Sequence, residues 1–255
     1  MATNLAVKTF YVILCFETMK TVFHPENSRG HADHGWLLAK HSFSFASWQN
    51  RERMHFGALR VLNDDSIEGG KGFGQHPHDN MEIITIPLEG ALRHEDSMGH
   101  SEVIHAGEVQ VMSAGSGVYH SEFNANPSEK ITLFQLWIFP NKQQVEPRYD
   151  QISYDLNDAK DKFLQLVSPN KDDAGTWIYQ NAWISIVDLS QEHSLNYSLH
   201  LPNNGVYIMA IEGQHQIGEQ TLNKRDAIGI SECETIHINN IQSGRLLLVE
   251  VPMIF

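Results

Sequence analysis

The chain is dominated by short apolar runs rich in β-branched and aromatic residues, which glycine, asparagine, aspartate and proline interrupt. Short runs separated by turn residues are typical of an all-β sandwich or barrel. No long stretch has the 3.6-residue period of an amphipathic helix, and the best candidate for a short helix is 156–165. The clearest predicted strands are 57–62, 82–88, 108–112, 131–139, 183–189, 206–212 and 245–251.

A weak internal repeat divides the chain into two halves. Residues 82–93 and 206–217 each consist of an apolar strand, a Glu-Gly turn and a second short strand. We interpret both segments as β-hairpins that turn at Gly90 and Gly213. Because the spacing exceeds that of a solenoid repeat, it predicts two related β-barrels in tandem. Proline and polar residues cluster at 140–155, where we place the junction between the barrels.

The composition is that of a globular protein, and its charge narrows the range of partners. Hydrophobic residues make up 41% of the chain and charged residues 19%, which argues against disorder. The formal net charge is −13, and the 18 basic residues are scattered among 31 acidic ones. A surface that binds nucleic acid needs clustered Lys and Arg, so we expect no direct nucleic-acid binding. An acidic surface remains compatible with a protein partner.

The apolar run nearest the N-terminus is too short to cross a bilayer. It covers residues 10–16, follows a weakly charged segment and has no A-x-A cleavage site nearby. We therefore interpret residues 1–18 as an N-terminal extension or an extra strand rather than a signal peptide. The two cysteines, Cys15 and Cys233, indicate no disulfide framework. We expect a cytoplasmic monomer that does not bind membranes.

The most specific pattern is a pair of metal-binding residue types at positions i and i+2. Side chains at this spacing on a β-strand point to the same face, so His76 and His78 can present two imidazoles to one point. His120 and Glu122 form a second pair of this kind. Three imidazoles and one carboxylate suit iron, manganese, nickel, copper or zinc, and intrinsic affinity does not decide among them. The sequence therefore predicts one divalent transition-metal site.

A second glutamate competes with Glu122 for the place of the carboxylate ligand. Glu82 follows His78 by four residues, and only one carboxylate is needed beside three histidines. If Glu82 faces the barrel interior, it can orient a ligand through a hydrogen bond. If it faces outward, it is a surface residue of its strand.

A set of short motifs runs through the first half of the chain. The motifs lie at 29–31, 34–36, 41–46, 59–65, 72–78, 81–82, 88–90, 94–97, 112–117, 120–122 and 135–138. Together they resemble pirin-like proteins of the cupin superfamily, especially the bacterial ones described as quercetin 2,3-dioxygenases. The resemblance is dense from about residue 20 to 150. Beyond that, only the alternation of short apolar strands and turns is shared.

This resemblance implies an all-β bicupin, which consists of two tandem antiparallel jelly-roll barrels with few short helices. We accordingly divide the chain into three parts. Residues 1–18 are the N-terminal extension, 19–145 form an N-terminal metal-binding cupin barrel, and 146–255 form a C-terminal cupin barrel without metal.

The resemblance also implies a ligand set. The metal ligands of the family fall on His76, His78, His120 and Glu122, which places Glu82 outside that set. The implied metal is Fe(II), with copper, manganese, nickel, cobalt and zinc as alternatives.

The remaining histidines are interpreted as structural. His31, His34 and His41 belong to the N-terminal segment of the family, and we expect them to hydrogen-bond this segment to the barrel. The histidines of the second half form no paired pattern, so we expect them to be ordinary strand and loop residues. They are His193, His200, His215 and His237.

The implied activity is that of a dioxygenase, which cleaves a flavonol such as quercetin with dioxygen and releases carbon monoxide. A bound metal would lower the pKa of the 3-hydroxyl, and Glu122 is the nearest candidate base for its proton. One alternative is an iron-binding, redox-sensing regulatory protein that binds a transcription factor or another protein partner. Another is a metal enzyme whose physiological substrate is not a flavonol.

Overall fold

The computed structural model describes residues 19–255, which form 22 strands and two short 3-10 helices. The predicted N-terminal extension, with the apolar run 10–16 and Cys15, lies outside the described residues. Within residues 19–255, no helix has the length and apolar character needed to cross a bilayer.

The strands are numbered in chain order. The first twelve are β1 (Lys20–His24), β2 (Gly30–Asp33), β3 (Leu37–His41), β4 (Leu59–Ile67), β5 (Gly72–His78), β6 (Glu82–Glu89), β7 (Ala91–Asp96), β8 (Ser101–His105), β9 (Glu108–Ser113), β10 (Val118–Asn124), β11 (Ile131–Ile138) and β12 (Arg148–Ser153). The other ten are β13 (Leu164–Ser168), β14 (Thr176–Trp177), β15 (Trp183–Leu189), β16 (Ser194–Ser198), β17 (Asn204–Ala210), β18 (Gln214–Ile217), β19 (Gln220–Leu222), β20 (Ala227–Ser231), β21 (Thr235–Gln242) and β22 (Gly244–Pro252). The 3-10 helices cover Glu26–Ser28 and Leu156–Ala159.

The first barrel consists of a large and a small sheet. The large sheet has seven strands in the order β12-β9-β6-β11-β4-β3-β2, and the small sheet has four in the order β5-β10-β7-β8. Leu37 and Ile67 of the large sheet share one buried apolar cluster with Leu92 and Ile104 of the small sheet. The two sheets therefore face each other across a common interior.

The second barrel repeats this plan strand by strand. Its large sheet has the order β1-β20-β17-β22-β15-β13-β14, and its small sheet has the order β16-β21-β18-β19. Strand β17 corresponds to β6, β20 to β9 and β22 to β11. The predicted all-β fold of two tandem barrels is confirmed.

The large sheets of the two barrels pack against each other. Leu62 and Phe134 of the first barrel belong to the same core cluster as Tyr207 and Leu247 of the second. Each large sheet also has a buried inner face, so its strands are covered on both sides. Such strands carry continuous apolar runs instead of alternating ones, which explains why the sequence predicts them well.

The edge strand β1 connects the two halves of the chain. It precedes the first barrel in sequence but pairs antiparallel with β20 of the second, from Lys20 opposite Ser231 to His24 opposite Ala227. The ring of His24 is hydrogen-bonded to the hydroxyl of Tyr207 at 2.8 Å. At the corresponding edge of the first barrel, β12 pairs with β9. The second barrel is thus completed by residues from the start of the described chain.

The two predicted hairpins are wrong, although their turns are placed correctly. Gly90 and Gly213 both have positive φ, at 80° and 84°, which suits glycine at a tight turn. However, β6 pairs with β9 and β11 in the large sheet, whereas β7 pairs with β8 and β10 in the small one. The second half repeats this between β17 and β18. Each glycine is therefore a corner at which the chain changes sheets.

The predicted helix at 156–165 is also wrong for most of its length. A 3-10 helix covers only Leu156–Ala159, and the side chain of Asp155 caps it by accepting a hydrogen bond from the amide of Asn157. Strand β13 begins at Leu164 and pairs with β15. The burial of this segment in the second large sheet overrides its weak helical pattern.

Candidate metal centre

Two neighbouring strands of the first small sheet carry the four predicted ligands. His76 and His78 lie on β5, and His120 and Glu122 lie on β10. The strands pair antiparallel with His120 opposite His76, and the register shifts before Glu122, which lies opposite Phe73. This irregularity is a β-bulge, a feature that redirects side chains near functional sites.

The structure brings three of the four predicted ligands into one cluster. The ligand atoms of His76, His78 and His120 all lie within 4.8 Å of one another. Their ring centroids are 4.4 to 4.9 Å apart. Glu122 belongs to a second group with the same limit, which it shares with His120 and His94. His120 therefore joins the imidazole cluster to the carboxylate.

The ring nitrogens of the cluster fit a metal. The Nδ1 atom of His76 lies 2.8 Å from the carbonyl oxygen of Gly74, so Nδ1–H donates there and Nε2 is left to bind a cation. The Nε2 atom of His120 is buried and has no hydrogen-bond partner within the described part of the chain. A buried polar atom without a partner costs free energy, and a metal ion would remove that cost.

Burial keeps two of these imidazoles neutral. The pKa of His78 is lowered to about 4, mainly by burial and to a smaller extent by the nearby rings of His120 and His76. Burial also lowers the pKa of His120 to about 3, with smaller contributions from His76 and His94. Both side chains are therefore unprotonated at neutral pH, which is the form that binds metals.

The carboxylate of Glu122 is held by the opposite sheet. Glu122 is buried, and the amide Nε2 of Gln135 on β11 donates hydrogen bonds to its Oε1 at 3.2 Å and its Oε2 at 2.9 Å. A ligand carboxylate that is fixed in this way loses little freedom when it binds a metal.

Glu82 lies apart from both clusters. It is buried, and its Oε2 accepts a 2.6 Å hydrogen bond from the hydroxyl of Ser113 on β9. Burial raises the pKa of Glu82 to about 7. The surface alternative for Glu82 is therefore wrong, and its hydrogen bond goes to Ser113 rather than to a predicted ligand.

His94 is a neighbour of the cluster that the sequence reasoning did not single out. Its Nδ1 lies 3.5 Å from Nδ1 of His120, and its Nε2 lies 3.1 Å from Oδ2 of Asp96. His94 lies opposite Glu122 in the pairing of β7 with β10. His94 and Asp96 are themselves an i, i+2 pair, so the signal used for the other ligands could have found them.

A cavity of about 470 Å³ opens beside the cluster. Its floor comes from the inner faces of β3, β4 and β11, and its opposite wall comes from β5 and Glu122. The ring of Trp137 lies 5.0 Å from that of His78, and Phe73 lies 6.4 Å from His76. Four aromatic side chains line the cavity: Trp36, Phe45, Phe73 and Trp137.

Polar side chains of β3 and β4 contribute to the same floor. The Nδ1 atom of His41 is hydrogen-bonded to Oδ1 of Asn63 at 2.8 Å. Burial, with smaller contributions from the charges of Asp64 and Glu122, raises the pKa of Asp65 to about 8. The expected hydrogen bond to the barrel is thus found for His41, which lines the cavity.

The other N-terminal histidines and those of the second barrel lie elsewhere. His31 and His34 are exposed. Three of the second-barrel histidines form ordinary hydrogen bonds with protein groups. The pairs are His200 with Glu250 at 2.8 Å, His215 with the carbonyl of Glu212 at 2.8 Å, and His237 with Asn196 at 2.6 Å.

Known proteins with similar sequences place the chain in a family. The Pirin family matches residues 22–138, and the quercetinase C-terminal cupin domain matches residues 165–251. The quercetin 2,3-dioxygenase of Escherichia coli K12 is 39% identical over 230 residues, which cover 89% of this chain and 96% of that protein. The chain belongs to the pirin family. A pirin-like protein of Caulobacter vibrioides is 40% identical over 227 residues, covering 89% of this chain and 97% of the relative.

One solved structure of a similar pirin contains a bound metal. Bacterial pirin YhhW from Escherichia coli, crystallised in complex with nickel(II), superposes with a TM-score of 0.86 at 36% identity. The match covers 91% of this chain and 99% of YhhW. Together with the histidine and glutamate clusters, it identifies a metal-binding site in this pirin.

Proposed function

We propose that this pirin is a metal-dependent dioxygenase that cleaves a flavonol such as quercetin with dioxygen and releases carbon monoxide. The observation that carries the proposal is the imidazole cluster beside an aromatic-lined cavity of about 470 Å³. This volume lies within the usual range for small-molecule sites. The similarity to the quercetin 2,3-dioxygenase of Escherichia coli supports the same activity.

The proposed ligands are His76, His78, His120 and Glu122, and the proposed metal is Fe(II). A divalent metal held there would supply a Lewis acid for the flavonol hydroxyl and a redox partner for dioxygen. Copper, manganese, nickel, cobalt and zinc are alternatives, because the donor set suits several of these ions.

The proposed proton acceptor is the carboxylate of Glu122. One oxygen of Glu122 would accept the proton of the flavonol 3-hydroxyl, whose acidity a bound divalent metal would raise. The amide of Gln135 contacts both oxygens and keeps the carboxylate directed at the cluster during the transfer.

The aromatic walls orient the substrate. Trp137 and Phe73 contact the rings of His78 and His76, so a flat ring system in the cavity lies directly against the imidazole cluster.

The activity can be tested directly. The protein is loaded with iron without oxygen, mixed with quercetin and then exposed to air, while flavonol absorbance and carbon monoxide are followed. We expect the absorbance to fall with release of one carbon monoxide per flavonol consumed. An iron-loaded wild-type protein that releases no carbon monoxide would refute the proposed activity.

A further inference from the structure

Two adjacent aspartates on β4 have opposite surroundings. Asp64 forms ion pairs with Arg29 at 3.3 Å and Arg225 at 3.2 Å. Asp65 faces the barrel interior, is only 5% exposed, and its Oδ1 has no hydrogen-bond partner within residues 19–255. Buried carboxyl groups are normally paired or hydrogen-bonded, so the protein alone does not account for Asp65.

The place of Asp65 in the sheet connects it to the metal centre. Its neighbour on the same face of β4 is Asn63, which lies opposite Gln135 of β11. Gln135 in turn donates to Glu122. Residues two apart on a strand are separated by about 7 Å. Asp65 therefore lies about that far along the cavity floor from Asn63, which is level with the Gln135 that holds Glu122.

A second unpartnered polar atom marks the other end of the cavity. The Nε1 atom of Trp137 is buried without a hydrogen-bond partner in the described structure, and Trp137 lines the same cavity as Asp65. Asp65 lies opposite Leu133, four residues before Trp137 on β11. Four residues of strand span about 13 Å. The floor therefore presents an acceptor and a donor at opposite ends, with Gln135, which holds Glu122, between them.

We propose that Asp65 is a specificity-determining residue, whose carboxyl group accepts a hydrogen bond from a substrate hydroxyl remote from the one that binds the metal. This inference rests on the proposed flavonol activity and identifies the preferred substrates as polyhydroxylated flavonols. A flavonol without outer-ring hydroxyls leaves Asp65 unpaired in the complex. Sites built to pair with a hydroxyl discriminate strongly against analogues that lack it.

The test compares two ligands and three variants by equilibrium binding. Nickel-loaded protein is titrated without oxygen with quercetin and with 3-hydroxyflavone, which lacks the hydroxyls of both outer rings. Asp65→Leu removes the hydrogen bond at similar volume, and Asp65→Asn keeps a side-chain oxygen as acceptor. Ser66→Ala, on the adjacent residue that faces the other side of the sheet, is the matched control.

We expect Asp65→Leu to bind quercetin about 10-fold more weakly and 3-hydroxyflavone about as well as the wild type does. Asp65→Asn should keep most of the preference for quercetin, and Ser66→Ala should keep all of it. An unchanged ratio of the two affinities in Asp65→Leu would overturn the role of Asp65, as would an equal loss for both ligands. If Asp65→Leu does not fold, Asp65→Ala decides the same comparison.

Thermal stability gives an independent readout. Asp65→Leu should raise the melting temperature, because it removes a buried carboxyl group without a partner. A residue with a purely structural role would instead destabilise the protein when replaced. If the wild type neither binds nor cleaves quercetin, the proposed activity fails as well. If it does both and Asp65→Leu behaves identically, only the role of Asp65 fails.

Discussion

The amide of Gln135 donates to both carboxylate oxygens of Glu122, at 3.2 and 2.9 Å, across the interior of the first barrel. The large sheet thereby fixes the orientation of a group that belongs to the small sheet. A ligand carboxylate depends on such partners for its geometry, and their loss typically lowers metal affinity 10- to 100-fold.

We therefore expect Gln135→Leu to weaken metal binding by about 10- to 100-fold while the fold is retained. Competition with a chelator of known affinity, using nickel or iron, measures the change. Thr132→Ala, which faces the other side of the same strand, serves as control and should bind metal normally. Wild-type affinity in Gln135→Leu would show that Glu122 needs no support from β11.

Loss of one imidazole should empty the metal centre. His76→Ala removes a member of the cluster whose ligand atoms lie within 4.8 Å, so we expect retained metal to fall below about a tenth of the wild-type content. Elemental analysis after purification checks this. His105→Ala removes an exposed histidine of β8 and should keep the metal. Full metal retention in His76→Ala would contradict the ligand assignment.

The proposed base and ligand roles of Glu122 can be tested separately. Glu122→Gln keeps an oxygen donor but cannot take up the hydroxyl proton, so we expect turnover to fall by about 100-fold or more. Metal content should fall much less. Steady-state rates and elemental analysis on the same preparation provide both values. Turnover at the wild-type rate would rule out Glu122 as the base.

Glu82 provides the matching comparison. Because its carboxyl group is hydrogen-bonded to Ser113 and belongs to neither cluster, Glu82→Gln should leave metal content unchanged within error. Elemental analysis beside Glu122→Gln makes the comparison direct. Loss of metal in Glu82→Gln would mean that the carboxylate ligand has been assigned to the wrong glutamate.

Asp65 should make the metal-free protein less stable as the pH rises. Its pKa is about 8 in the folded protein and 3.8 as the ordinary value. Between these values the folded protein keeps a proton that the unfolded chain has released, so stability falls with increasing pH. Asp65→Leu lacks this group, and its advantage in melting temperature should grow from about pH 5 to about pH 8. Melting curves of both proteins across this range test the expectation. A difference in melting temperature that stays constant with pH would contradict it.

The fold could be predicted from the sequence wherever strands are buried on both faces. Residues 131–139 correspond to β11, which packs against the second barrel on one side and lines the cavity on the other. Strand β8 has only Ile104 buried, so it leaves no apolar run to detect. The Glu-Gly turns can be predicted because a turn depends on adjacent residues. The sheet that each flanking strand joins cannot, because it depends on distant pairing partners, and the hairpin prediction is wrong for that reason.

In the candidate site, too, the features set by local sequence can be predicted and those set by distant pairing cannot. The i, i+2 spacing of His76 and His78 is local and needs only a strand to bring the imidazoles together. The approach of His94 to His120 depends on the pairing of β7 with β10, which no local pattern specifies. The lack of a partner for Asp65 is likewise a property of its three-dimensional surroundings, since Asp64 beside it is well paired.

The pairing of β1 with β20 has a consequence for biosynthesis. Residues 20–24 leave the ribosome about 200 residues before the strand that they must join, at a synthesis rate of roughly 5–20 residues per second. During that interval of about ten seconds or more, the native partner of β1 is absent, whereas β12, the edge strand of the first large sheet, follows its partner β9 closely in sequence. The pairing of β1 with β20 therefore forms only after most of the chain has been synthesised, and it joins the two halves non-covalently.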